Sequence, residues 1–129
     1  MRSLEVRVPG RPPGANDLIR MGHWKVGTVR ARWKATTLEV STQAIAASPW
    51  AEGWEPIQRA TVQVLWRCKT RRRRDFDNLI SGLKPLLDGL VAAGVLEDDS
   101  TEIVTAIGPL LVETGSPVDE TVIVVTEEG

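Results

Sequence analysis

Residues 71–100 constrain what this chain can fold into, and what chemistry it can carry, more than any other stretch. The stretch opens with four consecutive arginines: Arg71, Arg72, Arg73 and Arg74. Asp75 and Asp77 follow directly, an apolar pattern at helical spacing comes next, and Asp98 and Asp99 end the stretch. Guanidinium groups beside clustered carboxylates suggest a site that binds phosphates and holds a metal ion.

The net charge of −1 is the sum of two oppositely charged halves. Residues 1–74 contain 15 Lys and Arg against 5 Asp and Glu, whereas residues 75–129 contain 1 against 12. Such segregation is typical of a basic surface for an anionic polymer beside an acidic centre. The alternative is that folding interleaves the two halves into an ordinary mixed surface.

The length of 129 residues predicts a single domain, residues 1–129, with its own core. The single cysteine, Cys68, excludes an internal disulfide and is interpreted as a small buried hydrophobic side chain. No apolar run approaches the roughly 20 residues of a membrane span, and the first residues lack the apolar core of a signal peptide. We therefore expect a soluble, cytoplasmic protein without a membrane partner.

Hydrophobic periodicity predicts the elements of an α+β domain. Alternating apolar residues indicate strands at residues 3–8 and 60–68, and helical spacing indicates helices over residues 29–47 and 78–93. The second helix should end at Gly94 and kink between Ser81 and Pro85, because proline removes a backbone hydrogen bond. Two Ile- and Val-rich runs, residues 102–113 and 120–127, are interpreted as a terminal hairpin. The resulting order is β-α-β-α-β-β, with a mixed sheet and flanking helices.

Two prolines and two glycines predict an irregular loop after the first strand, at residues 10–16. This loop carries Asn16 and leads to a mixed basic and aromatic set: Arg20, His23, Trp24 and Lys25. One interpretation is a nucleic-acid groove in which Trp24 stacks on a base and the cations bind phosphates. The other is a surface loop that docks one tryptophan into the core.

The spacing of Asp75 and Asp77 carries the metal hypothesis. In an extended segment, side chains two residues apart point the same way, so both carboxylates would face one site while Phe76 is buried opposite. Neighbouring carboxylates repel each other, and a hard cation such as Mg²⁺, or Mn²⁺ in its place, removes that repulsion. The alternative is that Asp77 caps the following helix and Asp75 is a solvated turn residue.

These features together resemble the RusA-like Holliday junction resolvases of bacteria and bacteriophages. The family signature looks like Arg-Arg-Arg-Asp-x-Asp-Asn-Leu, a lysine, Asp-(Ala/Gly)-Leu and Gly-x-x-x-Asp-Asp. The matching positions here are residues 72–79, Lys84, residues 88–90 and residues 94–99. The opening strand, the Pro-Pro pair and Asn16 are also similar, so the resemblance extends over most of the chain.

The resemblance implies three catalytic, metal-binding aspartates: Asp75, Asp77 and Asp99. The family's lysine normally lies where this chain has Ser81, and Lys84 is the preferred substitute because both residues share one helix face. The alternative for Lys84 is a surface ion pair with Asp88. A helix of about 16 residues would carry the chain roughly 24 Å from Asp77. Asp99 can therefore return to its own Asp75 only if the helix is kinked or shorter; otherwise Asp99 completes a site beside a twofold partner.

The expected function is a Mg²⁺-dependent endodeoxyribonuclease that hydrolyses phosphodiester bonds at four-way or otherwise branched DNA, in recombination or repair. In it, Asn16 and the four arginines would bind DNA. A homodimer suits a junction that is nicked symmetrically in two strands. The alternatives are a non-catalytic nucleic-acid-binding protein whose acidic pairs only cap a helix, and a metal phosphohydrolase that acts on nucleotides.

Overall fold

Alternating apolar side chains build four strands into one mixed sheet, and a computed structural model describes the whole chain, residues 1–129. The sheet order is β1-β4-β2-β3, in which β4 is antiparallel to both of its neighbours and β2 is parallel to β3. The elements in chain order are β1 (Ser3–Pro9), α1 (Ala15–Met21), α2 (His23–Ala47), β2 (Ala60–Cys68), α3 (Phe76–Ile80), α4 (Leu83–Ala92), β3 (Val104–Thr114) and β4 (Glu120–Glu127).

The predicted α+β class, single domain and mixed sheet are confirmed. The helix predicted over residues 29–47 lies within the continuous helix α2, whereas the helix predicted over residues 78–93 is divided into α3 and α4. One face of the sheet carries the core, in which α4 packs on apolar side chains of β2 and β4, while α2 packs on α4 and β1. The alternation expected for the first two strands places Val6, Val64 and Cys68 in this core. No helix is both long enough and apolar enough to cross a membrane.

The predicted terminal hairpin is wrong, because β3 and β4 are not hydrogen-bonded to each other and β2 lies between them. Four side chains of β4 are buried, including the consecutive Thr121, Val122 and Ile123, which suits a central strand with a neighbouring strand on each side. Strand β3 is mostly exposed and contains Pro109, which cannot donate a ladder hydrogen bond and is tolerated at an edge.

The leucine-rich helix predicted over residues 78–93 is interrupted at Ser81 and Gly82, where α3 ends and α4 begins. The expected kink is therefore confirmed, as a break. Pro85 is the third residue of α4, where a backbone N–H has no partner within the helix, so proline costs little there. Gly94 follows with a φ of 79°, the left-handed conformation expected after a helix end.

The loop predicted after β1 ends earlier than expected. Helix α1 begins at Ala15 and α2 begins at His23 rather than at residue 29. The Pro-Pro-Gly sequence ends at Gly14, and only Gly22, with a φ of 78°, interrupts the helical residues that follow. Trp24 is 72% exposed, so the interpretation that it docks into the core is wrong.

The contact between α2 and α4 depends on a glycine. A Cβ atom at residue 89 would lie 2.5 Å from Thr37 Cβ and 2.9 Å from the carbonyl oxygen of Lys34. Thr37 is fully buried, and its hydroxyl donates to the Trp33 carbonyl at 2.8 Å. Only a residue without a side chain therefore lets the two helices approach this closely.

Gly89→Ala should lower the free energy of unfolding by about 1–3 kcal/mol, because the added methyl group pushes α2 and α4 apart. Gly27→Ala is the matched control, since a Cβ at residue 27 of α2 meets nothing within 4 Å. That substitution should stabilise the protein by about 0.5–1 kcal/mol through helix propensity alone. Urea unfolding of both variants measures the difference, and equal effects would contradict the close approach.

Candidate functional site

Three chain segments meet at one edge of the sheet. Strands β1 and β2 are antiparallel to β4, and β3 is parallel to β2, so β1, β2 and β3 run in one direction. Their carboxyl ends therefore lie at the same edge as the start of β4. Asp119, just before β4, accepts a hydrogen bond from the Gly10 amide at 2.8 Å through its backbone oxygen. Its side chain accepts from the Lys69 amide, also at 2.8 Å. These bonds connect the loop after β1, the arginine segment after β2 and the turn before β4.

A polar cleft of about 500 Å³ opens at this edge. It brings together Asn16, three of the four arginines and one of the predicted metal-binding aspartates. Its lining consists of Arg11, Pro12, Gly14, Asn16, Asp17, Arg72, Arg73, Arg74, Asp75, Asn78 and Leu79. Arg71 does not line the cleft, since its guanidinium lies against Gly115 of the turn before β4.

The arginines of the cleft have different roles. The guanidinium of Arg74 donates to the Thr70 carbonyl at 3.1 Å, to the Arg72 carbonyl at 2.8 Å and to the Thr70 hydroxyl at 2.7 Å. Arg74 therefore shapes the segment that carries the other arginines. Arg73 lies 3.5 Å from an Asp75 carboxylate oxygen, whereas the Arg72 guanidinium makes no hydrogen bond or salt bridge within the protein.

Two guanidinium nitrogens at this edge are buried and lack a hydrogen-bond partner, the Nε atoms of Arg11 and Arg74. Asp119 is an acidic counter-charge at this edge, and its pKa is lowered by the hydrogen bond from the Lys69 amide and by the charges of Arg11, Lys69 and Arg74. The cleft lining itself holds four arginines against two carboxylates, Asp17 and Asp75. The cleft keeps a net positive surplus that favours an anionic ligand.

The N-terminus of α1 is held by side chains of the arginine-to-helix segment. The Ala15 amide donates to the Ser81 hydroxyl at 2.7 Å, and the Asn16 amide donates to Asn78 Oδ1 at 3.1 Å. A Cβ atom at Gly14 would collide with the backbone and side-chain oxygens of Asn78. Ser81 is thus a structural residue here, which leaves Lys84 as the lysine to compare with the family pattern.

The predicted extended geometry of the first acidic pair is wrong. Helix α3 begins at Phe76, so Asp75 has an extended backbone at the N-cap position while Asp77 lies inside the first turn. Phe76 is 50% exposed and does not anchor the segment by burial. Asp77 Oδ1 accepts from the Asn78 amide at 2.9 Å, whereas Asp75 makes no side-chain capping bond and keeps its carboxylate available.

Lys84 links the two acidic regions at the start and end of α4. Its Nζ lies 3.0 Å from Asp99 Oδ2 and 3.0 Å from Asp88 Oδ1. Hydrogen bonds to Asp88 and then Asp99 raise the pKa of Lys84, and the hydrogen bond from Lys84 lowers the pKa of Asp99. Helix α4 has only 10 residues, and the chain after it folds back toward the first turn of α4. Asp99 therefore reaches Lys84 of the same chain, without a twofold partner.

The predicted site residues thus form two groups. Asn16 and Asp75 share the cleft with the arginines, while Lys84 and Asp99 form a pair outside its lining. Asp77 also lies outside the lining, and no group of three or more His, Cys, Asp or Glu side chains is arranged to hold a metal ion. The structure therefore does not gather the three aspartates into one cluster.

The sequence-based prediction missed three polar residues at this edge. Arg11 lies in the loop that the prolines identify. The available signal was a positive charge in the same loop as Asn16. Asn78 was part of the motif but had no assigned contact with α1. Asp119 precedes β4 in a turn and carries no local signal, because its role depends on the sheet order.

Comparison with known proteins adds no assignment. Neither a scan against protein-family models nor a search of curated proteins found a match. Function is therefore inferred from the cleft and from the pair of Lys84 and Asp99.

Lys84→Gln should raise the pKa of Asp99 toward its ordinary value of 3.8, because the substitution removes both the hydrogen-bond donor and the positive charge. The folded-state pKa of Asp99 lies below that value. The contribution of Asp99 to the free energy of unfolding is therefore present above pH 3.8 and is lost as the pH falls through the folded-state pKa. Carboxyl ¹³C NMR titration of Asp99 measures the change.

Lys25→Gln, which removes an exposed cation of α2, is the matched control and should leave the Asp99 titration unchanged. An identical Asp99 titration in the wild type and in Lys84→Gln would show that the pair does not persist in solution.

Proposed function

We propose that this chain is a Mg²⁺-dependent endodeoxyribonuclease that hydrolyses phosphodiester bonds at branched DNA, including four-way junctions, as its resemblance to RusA-like resolvases implies. One observation carries the proposal: the Asp75 carboxylate, which makes no capping hydrogen bond to α3, lies with Arg72 and Arg73 in one polar cleft. Such a protein would act in recombination or repair in the cytoplasm of a bacterium, encoded by the cell or by a bacteriophage.

The arginines would bind the DNA backbone. Arg72 has no partner within the protein, and the buried Nε donors of Arg11 and Arg74 are unpaired. Guanidinium groups donate short, charge-assisted hydrogen bonds to phosphate oxygens, and they thereby supply both the donors and the counter-charge. A phosphate in the cleft would therefore pair with the Arg72 guanidinium, which the protein leaves without a partner, and Asn16 would contact the same strand.

The three aspartates do not form one cluster, but the chemistry of their oxygens suits a divalent metal with few protein ligands. Asp75 and Asp77 offer hard carboxylate oxygens at the start of one helix, and Mg²⁺ typically binds one or two carboxylates together with water and substrate phosphate. Mn²⁺ accepts the same donors. When bound, the metal would lower the pKa of a bound water and stabilise the leaving oxygen. Asp99 is the proposed third ligand, and its Lys84 partner keeps that carboxylate ionised.

A homodimer would place two such sites on one junction. Its twofold axis would present an equivalent cleft to each of the two DNA strands that are cut. Phe76 and Ile80 support this part of the proposal. They lie one helical turn apart on α3, are 50% and 42% exposed, and give the site region an apolar surface for a second subunit.

A second candidate is a nucleic-acid-binding protein without catalysis. It is favoured by the positions of Asp75 at the N-cap of α3 and Asp77 in the first turn, where carboxylates stabilise a helix through its dipole. Both candidates bind DNA in a salt-sensitive way. Only the nuclease cuts it.

Asp75→Asn should reduce cleavage of a synthetic four-way junction more than about 100-fold, since groups outside the ligand set already contribute about 10–100-fold in metal sites. Junction binding should be retained or tightened, because a repulsive charge is removed. Cleavage is measured on labelled junction and linear duplex, each with Mg²⁺ and with EDTA. Wild-type cutting should occur only on the junction and only with Mg²⁺.

Glu102→Gln, an exposed carboxylate outside the cleft, is the control and should cut at the wild-type rate. Undiminished cutting by Asp75→Asn would refute the catalytic assignment. Binding by the wild type with no cutting under any metal would favour the non-catalytic candidate.

Arg72→Gln should weaken binding to junction and linear duplex equally, because a phosphate contact carries no sequence or shape information. The slope of log K against log salt concentration should fall by about one. Arg59→Gln removes an exposed arginine that pairs with Glu128 at 3.6 Å and should leave the slope unchanged. Fluorescence anisotropy across a salt series tests the prediction, and equal slopes for both variants would contradict it.

A further inference from the structure

The helices before the core contain cations with no acidic partner. Residues 18–38 contain no Asp or Glu, and five exposed cations in this range form no salt bridge: Arg20, Lys25, Arg30, Arg32 and Lys34. Elsewhere in the basic half, Arg2, Arg7, Arg59 and Arg67 each pair with a glutamate. These helices therefore carry unpaired positive charge, as Arg72 of the cleft does.

Helix α2 extends beyond the body of the protein. Its 25 residues span about 37 Å, and its residues that pack against the hydrophobic core begin only at Trp33. The preceding part packs against α1. We call α1 and residues 23–34 of α2 the basic arm.

Trp24 lies near the start of α2 in the basic arm and is 72% exposed. Lys25 Nζ lies 5.0 Å from the centroid of its ring. The side chain contributes nothing to the core, whereas an exposed aromatic ring among cations is the arrangement on which proteins stack the bases of single-stranded nucleic acid.

The basic arm is continuous with the polar cleft. A depression lined in part by Met21, Val29 and Trp33 of the arm also contains Arg11 and Arg72, which line the cleft. A DNA strand that leaves the cleft thus meets the basic arm next. Asp17 of α1 lines both the cleft and this depression, and α2 adds no carboxylate before Glu39.

We propose that the basic arm binds unstacked bases at the branch of the DNA, with Trp24 stacked on a base and the arm's cations on the flanking phosphates. This inference rests on the proposed function for the placement of DNA in the adjoining cleft. It gives a physical basis for branch selectivity. Bases in linear duplex are stacked on each other and offer Trp24 no free face, whereas bases at a branch point do.

Trp24→Ala should weaken binding to a synthetic four-way junction about tenfold, within the range measured for base–aromatic stacking, while binding to a fully paired linear duplex stays unchanged. Trp24→Phe should restore most of the loss because it keeps a ring. Binding is measured by anisotropy in EDTA. In parallel, a 2-aminopurine at the branch should be quenched by the wild type and by Trp24→Phe but not by Trp24→Ala.

Leu111→Ala is the matched control, because Leu111 is a large apolar side chain, 53% exposed, on the edge strand β3 away from the arm. Unchanged junction binding by Trp24→Ala overturns the proposal, as does an equal loss on junction and duplex. Sedimentation velocity adds a separate outcome: if Trp24→Ala dissociates an assembly, the tryptophan contacts a second copy of the chain, and the proposal is also overturned.

Failure of the proposed function is distinguishable from failure of the basic arm. If the wild type cuts no junction with Mg²⁺ yet Trp24→Ala loses junction binding selectively, the nuclease assignment fails and the basic arm is supported. If the wild type cuts the junction and Trp24→Ala binds it normally, the nuclease assignment stands and the basic arm is refuted.

Discussion

The antiparallel insertion of β4 between β1 and β2 is the constraint on which the site depends. Because β4 pairs with both strands, β1, β2 and β3 share one direction, and their carboxyl ends meet at one edge. Burial of Thr121, Val122, Ile123 and Val125 stabilises this central position. Without it, Arg11 and the arginine segment would not face each other across Asp119.

The break at Ser81 and Gly82 is the second constraint, and it acts on the acidic residues. A continuous helix over residues 78–93 would carry the chain too far for Asp99 to return to Asp77. In the structure Asp99 returns as far as Lys84, in the first turn of α4, and meets it at 3.0 Å within one chain. The same break leaves Ser81 free to hold the first turn of α1, so one interruption positions both sides of the site region.

The structure contains one region in which opposite charges pair and another in which cations stay largely unpaired, and the linear sequence does not distinguish the two. On the open face of the sheet the two halves interleave, since Glu120 accepts from Arg7 at 3.1 Å and from Arg67 at 2.6 Å. At the cleft and on the basic arm the cations remain largely unpaired. The net charge of −1 therefore coexists with a continuous basic surface, which is the arrangement that favours a polyanionic partner.

Local periodicity determined the strands β1 and β2, the buried leucines Leu83 and Leu90, the break before Pro85 and the α+β class, because each depends on neighbours within a few residues. Local pattern could not assign the neighbours of β4, since a turn between two strands does not require them to pair. It also misplaced Phe76 and left two interpretations of Trp24 open, because the exposure of both side chains depends on where helices begin and what packs on them. The sequence alone thus identified the arginine segment and the acidic pairs, whereas only tertiary contacts between distant segments decided which of them lie together and added Arg11 and Asp119.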